Sequence, residues 1–308
     1  MNYKYVGLII MVIILFFIEI RSYYHNLINK YLRMNNDSNS IVYDYLIKYI
    51  HCVSKNNYFM NYGLWDKTNN TLIKANKNLC NFLFKEGQLN NIDTFNILDV
   101  GCGYGKQDFL WQKMLSPKST IVAVDISKTQ IKFANKLKRK CKVPKQSIKF
   151  ITGDAHHLTQ KFKSVKFNRI MSLESAFHYP NRLLFFKNVS KLLSDDGLFL
   201  ITDIIINDKF KKGYFTNFFI KLACDLLCIP EKNLITLSEW KKSIKTSKME
   251  IVKLYDITDQ TFGPYYKFFF ETYISEKNLS PLLADLLCYV TNSNQGFSYV
   301  VAVCKKKY

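Results

Sequence analysis

LDVGCGYGKQDFL, residues 98–110, places three glycines within five positions directly after an apolar run. That run, FNILDV (95–100), has the length and composition of a buried strand, and KQDFLWQKML (106–115) is typical of a helix. Glycines let the backbone of such a strand-to-helix turn approach a ligand, because no Cβ lies in the way. The stretch therefore predicts a ligand-binding turn after a strand.

The spacing of these glycines matches neither of two phosphate-binding patterns. Gly101, Gly103 and Gly105 form G-x-G-x-G, whereas a dinucleotide-binding turn, G-x-G-x-x-G, would need a glycine in place of Lys106. The P-loop pattern G-x-x-x-x-G-K-[ST] is also absent from this turn. The turn is glycine-rich, but its ligand is not predicted to be a phosphate held in either of these ways.

Strand-like and helix-like segments alternate around this turn. Four more apolar strands follow the first, at 121–127, 147–154, 168–175 and 197–206, and helical segments separate them. This alternation predicts a parallel sheet with helices on both faces. Two further strands, MEIVKLYDIT (249–258) and FSYVVAVCKK (297–306), and a helix from Pro264 complete the pattern. The predicted fold is α/β, with a Rossmann-like, mostly parallel sheet of about seven strands.

Two carboxylates end the next strands of this predicted sheet. Asp125 ends the second strand, where an acidic residue hydrogen-bonds the ribose hydroxyls of a bound adenosine. Asp154 follows the third strand, where its carboxylate can accept a hydrogen bond from the adenine amino group. Neither residue is specific by itself, but their order and spacing after the glycine turn predict an adenosine-containing ligand.

The composition is strongly basic. The chain of 308 residues carries a formal charge of +20, and 48% of its residues are hydrophobic, so it can bury a sizeable core. A nucleic-acid or anionic-membrane partner is one interpretation of this charge. A lysine-rich composition without a basic binding surface is the other, and we favour it because the lysines are scattered. No C-x-x-C pair occurs among the eight cysteines, so no metal site is expected.

The amino terminus contains an uncharged apolar segment, YVGLIIMVIILFFI (5–18). Its fourteen residues span about 21 Å as a helix, less than a hydrocarbon core of about 30 Å, unless flanking residues snorkel. A cleaved signal peptide is the alternative, but FFIEIRSYYHN offers no A-x-A-like cleavage site. We expect residues 1–22 to be a single-pass membrane anchor. Residues 23–57 then form a linker and a helix.

Basic residues on the carboxyl side of the anchor orient it. Arg21, Lys30 and Arg33 follow the apolar segment, and the positive-inside rule then places the bulk of the chain on the cytoplasmic side.

Several motifs resemble those of a known enzyme family. ILDVGCGYG, VAVDIS, GDAHHL and LLSDDGLFLITDI look like motifs of class I S-adenosylmethionine-dependent methyltransferases. They are most similar to the small-molecule branch, the methyltransferase type 11 group, which includes sterol and polyketide methyltransferases. NYGLWD (61–66) resembles the segment that closes over the cofactor, and IVKLYDIT with GPYY resembles the sixth strand and following helix. The resemblance covers residues 58–308.

The resemblance implies S-adenosyl-L-methionine as the cofactor and a role for each matching position. It implies that the cofactor contacts Tyr62, Asp99, Gly101, Cys102, Gly103, Gly105, Asp125, Ile126, Asp154, Ala155 and Leu173. Asp99 and the glycines would shape the methionine pocket, Asp125 would hold the ribose, and Asp154 with Ala155 would meet the adenine. Asn168 departs from the family, which usually has Asp at this structural position.

Two residues of SLESAFHYP (172–180) are candidates for catalysis. The resemblance places His178 near the transferred methyl group, where it would take the proton of a hydroxyl acceptor. Glu174 would orient His178 or act in its place. The alternative is a loop histidine that packs on Tyr179 and Pro180. His156 and His157 are interpreted as loop residues.

The segment between the fifth and sixth strands, residues 208–245, lies where this family builds its substrate lid. Its stretch KGYFTNFFIKLACDLLCIP (212–230) is aromatic and aliphatic, which indicates an apolar pocket or a membrane-facing lid, or simply a helix packed on the sheet. With the anchor, it favours a small, lipophilic acceptor such as a sterol, polyketide, quinone or lipid. Two alternatives remain open, a nucleic-acid methyltransferase and a catalytically silent, cofactor-binding scaffold.

Overall fold

The computed structural model describes residues 58–144, 147–206, 224, 229–274 and 296–307. All of them belong to one compact unit, residues 48–308. The predicted anchor (1–22), the predicted linker and helix (23–57) and much of the predicted lid lie outside the described residues. Across the described ranges, no helix has the length and apolar character needed to span a membrane.

A single seven-stranded sheet organises the described residues. The strands are β1 (Asn96–Val100), β2 (Thr120–Asp125), β3 (Ile148–Thr152), β4 (Phe167–Ser172), β5 (Leu193–Ile206), β6 (Met249–Asp256) and β7 (Phe297–Lys306). Their order is β3-β2-β1-β4-β5-β7-β6. Strands β1 to β5 pair in parallel, and β7 runs antiparallel between β5 and β6. The predicted mostly parallel α/β sheet is confirmed.

Helices alternate with the strands. They are α1 (Leu72–Glu86), α2 (Lys106–Met114), α3 (Lys128–Lys140), α4 (Leu158–Phe162), α5 (Arg182–Leu192), α6 (Leu237–Thr246) and α7 (Phe262–Ile274). Short 3₁₀ turns lie at Ala155–His157, Ala176–His178, Glu231–Asn233 and Thr258–Gln260. Ser127 caps the first turn of α3, since its side chain accepts the N–H of Gln130.

Three boundaries differ from the sequence-based expectation. Strand β4 ends at Ser172, so Glu174 lies in the following turn and not in a strand. Strand β5 begins at Leu193, directly after α5, although the predicted strand began at 197. Helix α7 begins at Phe262, two residues before Pro264. A proline is tolerated there because the N–H groups of the first helical turn have no acceptor within the helix. The lack of an N–H in proline therefore costs no hydrogen bond.

The feature of the sheet that matters for function is the boundary between the paired neighbours β1 and β4. Strands β2 and β3 lie on one side of β1, and β4 and β5 lie on the other. The direction of winding reverses between β1 and β4, and open α/β sheets bind ligands beyond the carboxyl ends of the strands at such a point. The buried apolar residues Leu98, Ile170 and Ile201 of β1, β4 and β5 hold this part of the sheet rigid.

Candidate active site

Each of the first four strands brings one carboxyl group to the crevice edge of the sheet. Asp99 lies one residue before the end of β1, Asp125 ends β2, Asp154 follows β3 and Glu174 follows β4. Because the strands are parallel, these groups share one edge. Burial raises the pKa of Asp99 to about 7 and that of Glu174 to about 8, so Asp125 and Asp154 supply the negative charge that favours a ligand carrying positive charge.

Glycine is required in the turn after β1 because the segment after β4 packs directly against it. Gly101 has φ +83°, and a Cβ there would lie 2.2 Å from the Cβ of Ser175. The Ser175 hydroxyl in turn donates to the carbonyl of Val100 at 2.8 Å. The turn after β1 and the segment after β4 therefore form one packed unit at the mouth of the crevice.

The Asp125 carboxylate is oriented by the backbone of this turn. Its Oδ2 accepts the N–H of Gly103 and its Oδ1 accepts the N–H of Ser127, both at 2.9 Å. The side chain is half-buried, and the next residue, Ile126, is exposed. An oriented carboxylate beside an exposed apolar side chain suits a ribose with its planar base. The structure brings together three predicted cofactor residues here.

Asp154 is bound by the histidine that follows it. His156 Nδ1 lies 2.8 Å from Asp154 Oδ1, and His156 Nε2 accepts the N–H of Asn181 at 3.1 Å. Because Nε2 is an acceptor, the proton lies on Nδ1 and is donated to Asp154. His156 therefore links the turn after β3 to the segment after β4. The sequence did not predict this role, because Asn181 lies 25 residues further along the chain.

Glu174 is held in a closed ring of hydrogen bonds. Its N–H donates to Thr202 Oγ1 at 2.8 Å, and Tyr299 Oη donates to Glu174 Oε1 at 2.6 Å. The antiparallel pairing of β5, which carries Thr202, with β7, which carries Tyr299, closes the ring. The ring supports a left-handed backbone, φ +53°, which is uncommon for a residue other than glycine and often marks a functional site.

This ring leaves one carboxyl oxygen of Glu174 available. Oε1 also accepts the N–H of Tyr62 at 2.7 Å, whereas no hydrogen bond from the described residues reaches Oε2. Burial raises the pKa of the Glu174 carboxyl to about 8, although both hydrogen bonds to Oε1 act to lower it. A carboxyl group with a pKa near neutrality can take or give a proton at physiological pH.

Five aromatic side chains pack together beside this carboxyl group, and we call them the aromatic cluster. They are Tyr62, Phe262, Tyr265, Tyr266 and Tyr299. Ring centroids lie 4.7 Å apart for Tyr62 and Tyr265 and 5.6 Å apart for Phe262 and Tyr299. Of this cluster only Tyr62 was predicted. The others lie on α7 and β7, and although Tyr265 and Tyr266 belong to the quoted GPYY motif, the motif gave them no role in the site.

The segment that carries Tyr62 is tied to two helical regions. The side-chain amide of Asn76 in α1 donates to the carbonyl and to the side chain of Asn61. The N–H of Trp65 donates to the carbonyl of Gln260 at 2.8 Å, in the turn before α7. These bonds place Tyr62 over Glu174, which agrees with a segment that closes over the crevice.

The remaining predicted residues lie at the same edge. Cys102, Ala155 and Leu173 are buried, so their backbone atoms are what they can offer to a ligand. His178 ends the 3₁₀ turn after β4 and is half-buried, with its ring centroid 4.2 Å from that of Phe177. Asp99 is fully buried, and so supports the glycine turn from within.

Comparison with known proteins agrees with this architecture. A family model described as "Methyltransferase domain" matches residues 92–250. The erythromycin 3''-O-methyltransferase of Saccharopolyspora erythraea is 34% identical over 155 residues, which cover 50% of this chain and 49% of that protein. The chain thus spans about half the length of this curated relative.

Two solved structures have the same fold. One is a geranyl diphosphate C-methyltransferase of Streptomyces coelicolor A3(2), solved with Mg²⁺, geranyl diphosphate and S-adenosyl-L-homocysteine. It is 14% identical, with a TM-score of 0.65 over 81% of this chain and 92% of that chain. The [4+2]-cyclase SpnF is 15% identical, with a TM-score of 0.69 over 88% and 96%. At these identities the likeness shows the fold alone. Because the family model covers half of its length, this chain belongs to the methyltransferase domain family.

Proposed function

We propose that this chain is an S-adenosylmethionine-dependent methyltransferase that acts on a small, lipophilic acceptor. The observation that carries the proposal is the row formed by the glycine turn after β1 and the carboxylates Asp125 and Asp154 at the ends of β2 and β3, in a chain of charge +20. A sulfonium, an amino group and ribose hydroxyls are matched by such a row, whereas nucleotide phosphates would be repelled by it.

The residues present fit this cofactor. Asp125, oriented by Gly103 and Ser127, would accept hydrogen bonds from the ribose hydroxyls. Asp154 and the backbone of Ala155 would contact the adenine, and the glycine turn would contact the methionine part. When bound, S-adenosylmethionine supplies an activated methyl group, so the protein contributes chiefly the orientation of the acceptor.

Glu174 is our first candidate for the base that takes the acceptor's proton. Its Oε1 accepts hydrogen bonds from the Tyr62 N–H and the Tyr299 hydroxyl, so Oε2 is the oxygen that would take the proton. Its raised pKa suits proton transfer near neutral pH. His178, on the same post-β4 segment, is the second candidate. The aromatic cluster would exclude water from the reacting atoms.

The lipophilic acceptor is supported by three observations. The curated relative that is 34% identical is named for erythromycin. The aromatic cluster lines the crevice beside Glu174. The sequence of the predicted lid (208–245) is apolar. We also propose that residues 1–22 anchor the chain in a membrane with the catalytic domain on the cytoplasmic side, so that the acceptor is reached from the bilayer.

The proposal is tested with the full-length chain in lipid nanodiscs. Isothermal titration with S-adenosylhomocysteine should give saturable binding, and radiolabelled S-adenosylmethionine should label lipid-soluble products from a panel of sterols, quinones, polyketides and fatty acids. The Asp195→Ala variant, which changes an exposed surface carboxylate paired with Lys306, serves as a matched control. A wild-type chain that binds no S-adenosylhomocysteine contradicts the proposal. Labelling confined to RNA or DNA would favour the nucleic-acid alternative, and binding without turnover would favour the scaffold.

A further inference from the structure

A second acidic residue lies beneath the glycine turn. Asp108 is in the first turn of α2, and it is fully buried, as is Asp99 of β1. The two carboxyl groups are close enough that the charge of Asp99 raises the pKa of Asp108. The functions assigned above make no use of Asp108.

If both carboxyl groups of this pair were ionised, three of their four buried oxygens would lack a hydrogen-bond donor. Asp99 Oδ2 accepts a hydrogen bond from Gln107 Nε2 at 3.0 Å. Within the described residues, Asp99 Oδ1 and both carboxyl oxygens of Asp108 are inaccessible to solvent and receive no hydrogen bond from a conventional donor. Two adjacent buried carboxylates lacking donors would be very costly. A proton on one of them removes a charge and creates the missing donor.

The surroundings decide which group keeps the proton. The Gln107 amide stabilises the ionised form of Asp99, and Asp108 receives no such bond. Burial raises the pKa of both carboxyl groups, and the charge of Asp99 raises that of Asp108 further. The other titratable groups that act on the pair or feel its charge are Asp125 of β2, Cys80 of α1 and Cys102 of the turn. None of these three supplies a positive charge.

We propose that Asp108 is a positioning residue that stays protonated at neutral pH and donates its proton to Asp99 Oδ1. The effect reaches the turn through Gln107, whose Nε2 is shared between Asp99 Oδ2 and the carbonyl of Cys102, 3.0 Å from each. A chain of hydrogen bonds thus runs from Asp108 through Asp99 and Gln107 to the backbone of the glycine turn. Loss of the proton would place two charges under the turn and disturb its shape.

The test compares two substitutions of Asp108 by titration with S-adenosylhomocysteine between pH 6 and pH 9.5. Asp108→Asn keeps a donor of similar shape and should bind within about threefold of wild type at pH 7. Asp108→Ala removes the donor and should bind at least tenfold more weakly. As the pH rises, wild type should lose affinity relative to Asp108→Asn. The ligand's own amino group titrates in both proteins, so the ratio of the two Kd values isolates the pair. Equal losses in both variants, or a constant ratio across the pH range, would overturn the proposal.

Infrared spectroscopy of the full-length chain supplies a readout that does not depend on binding. Wild type at pH 7 should show a protonated-carboxyl band that is absent from Asp108→Asn and present in the surface control Asp195→Asn, in addition to the band of protonated Glu174, which all three proteins share. Identical spectra of wild type and Asp108→Asn would refute a protonated Asp108. The titration rests on the proposed function, whereas the spectrum does not. A wild-type chain with this band but without affinity for S-adenosylhomocysteine would refute the cofactor and leave the protonation standing.

Discussion

The carboxyl groups on the two sides of the crevice have different surroundings. On the side of β2, Asp125 is half-buried and accepts hydrogen bonds from the backbone N–H groups of Gly103 and Ser127. On the side of β4, Glu174 is enclosed by the aromatic cluster and bound by the Tyr299 hydroxyl. Backbone donors orient a carboxylate for a polar ligand, whereas enclosure raises its pKa. The difference separates a side that binds the cofactor from a side that moves a proton.

The largest effect is expected at the contact that joins the two sides. Gly101→Ala places a Cβ 2.2 Å from Ser175 in a backbone with φ +83°, so both the clash and the conformation oppose it. We expect a loss of about 3 kcal/mol in the free energy of unfolding, measured by chemical denaturation.

A second variant separates the two causes. Gly101→Ala combined with Ser175→Gly removes the clash and keeps the strained φ, so it should recover part of the lost stability. If Gly101→Ala alone is as stable as wild type, the packed unit at the mouth of the crevice is wrong.

The cofactor side is tested by Asp125→Ala. Loss of a charged acceptor for two hydroxyl groups, together with the bond that orients Gly103, should weaken S-adenosylhomocysteine binding by about a hundredfold or more. Calorimetric titration measures this, with Asp195→Ala as the surface control. A change of less than about threefold would remove Asp125 from the binding site.

The proton side is tested by Tyr299→Phe, which deletes one hydrogen bond to Glu174 Oε1. Because that bond favours the ionised form, the pKa of Glu174 should rise from about 8 by roughly one unit, as followed by carbon NMR of the labelled carboxyl group. Affinity for S-adenosylhomocysteine should change by less than about threefold.

Tyr255→Phe is the matched control for this substitution. It makes the same chemical change on the neighbouring strand β6, and it deletes a hydrogen bond to a different glutamate, Glu86. It should leave the pKa of Glu174 unchanged. Equal shifts in the two variants would show that the ring around Glu174 does not set its ionisation.

The last prediction concerns stability as a function of pH. The pKa of Glu174 in the folded chain, about 8, exceeds the unfolded value of about 4.3, so folding favours the protonated form. Stability from this group is present at low pH and is lost as the pH rises from about 4 to about 8. Glu174→Gln cannot ionise, so its melting temperature should rise relative to wild type across that range. A constant difference would contradict an enclosed Glu174.

The two sides also differ in how many of their site residues could be predicted from the sequence. The glycine turn, Asp125 and Asp154 lie in short segments whose strand and turn patterns are local, and the sheet follows from the alternation of apolar runs. Tyr299 meets Glu174 across 125 residues, and only the antiparallel pairing of β7 with β5 brings them together. Asp108 gave no signal because a lone aspartate in the first helical turn is ordinary. The left-handed φ of Glu174 likewise depends on the distant Thr202.

The central claim is that an acidic crevice holds a cationic adenosine ligand. The most direct measurement is calorimetric titration of the full-length chain at pH 7 with S-adenosylmethionine and, separately, with adenosine diphosphate, which shares the adenosine but carries negative charge. The account predicts saturable binding of S-adenosylmethionine and at least a hundredfold weaker binding of the diphosphate. Equal affinities, or binding of the diphosphate alone, would contradict it.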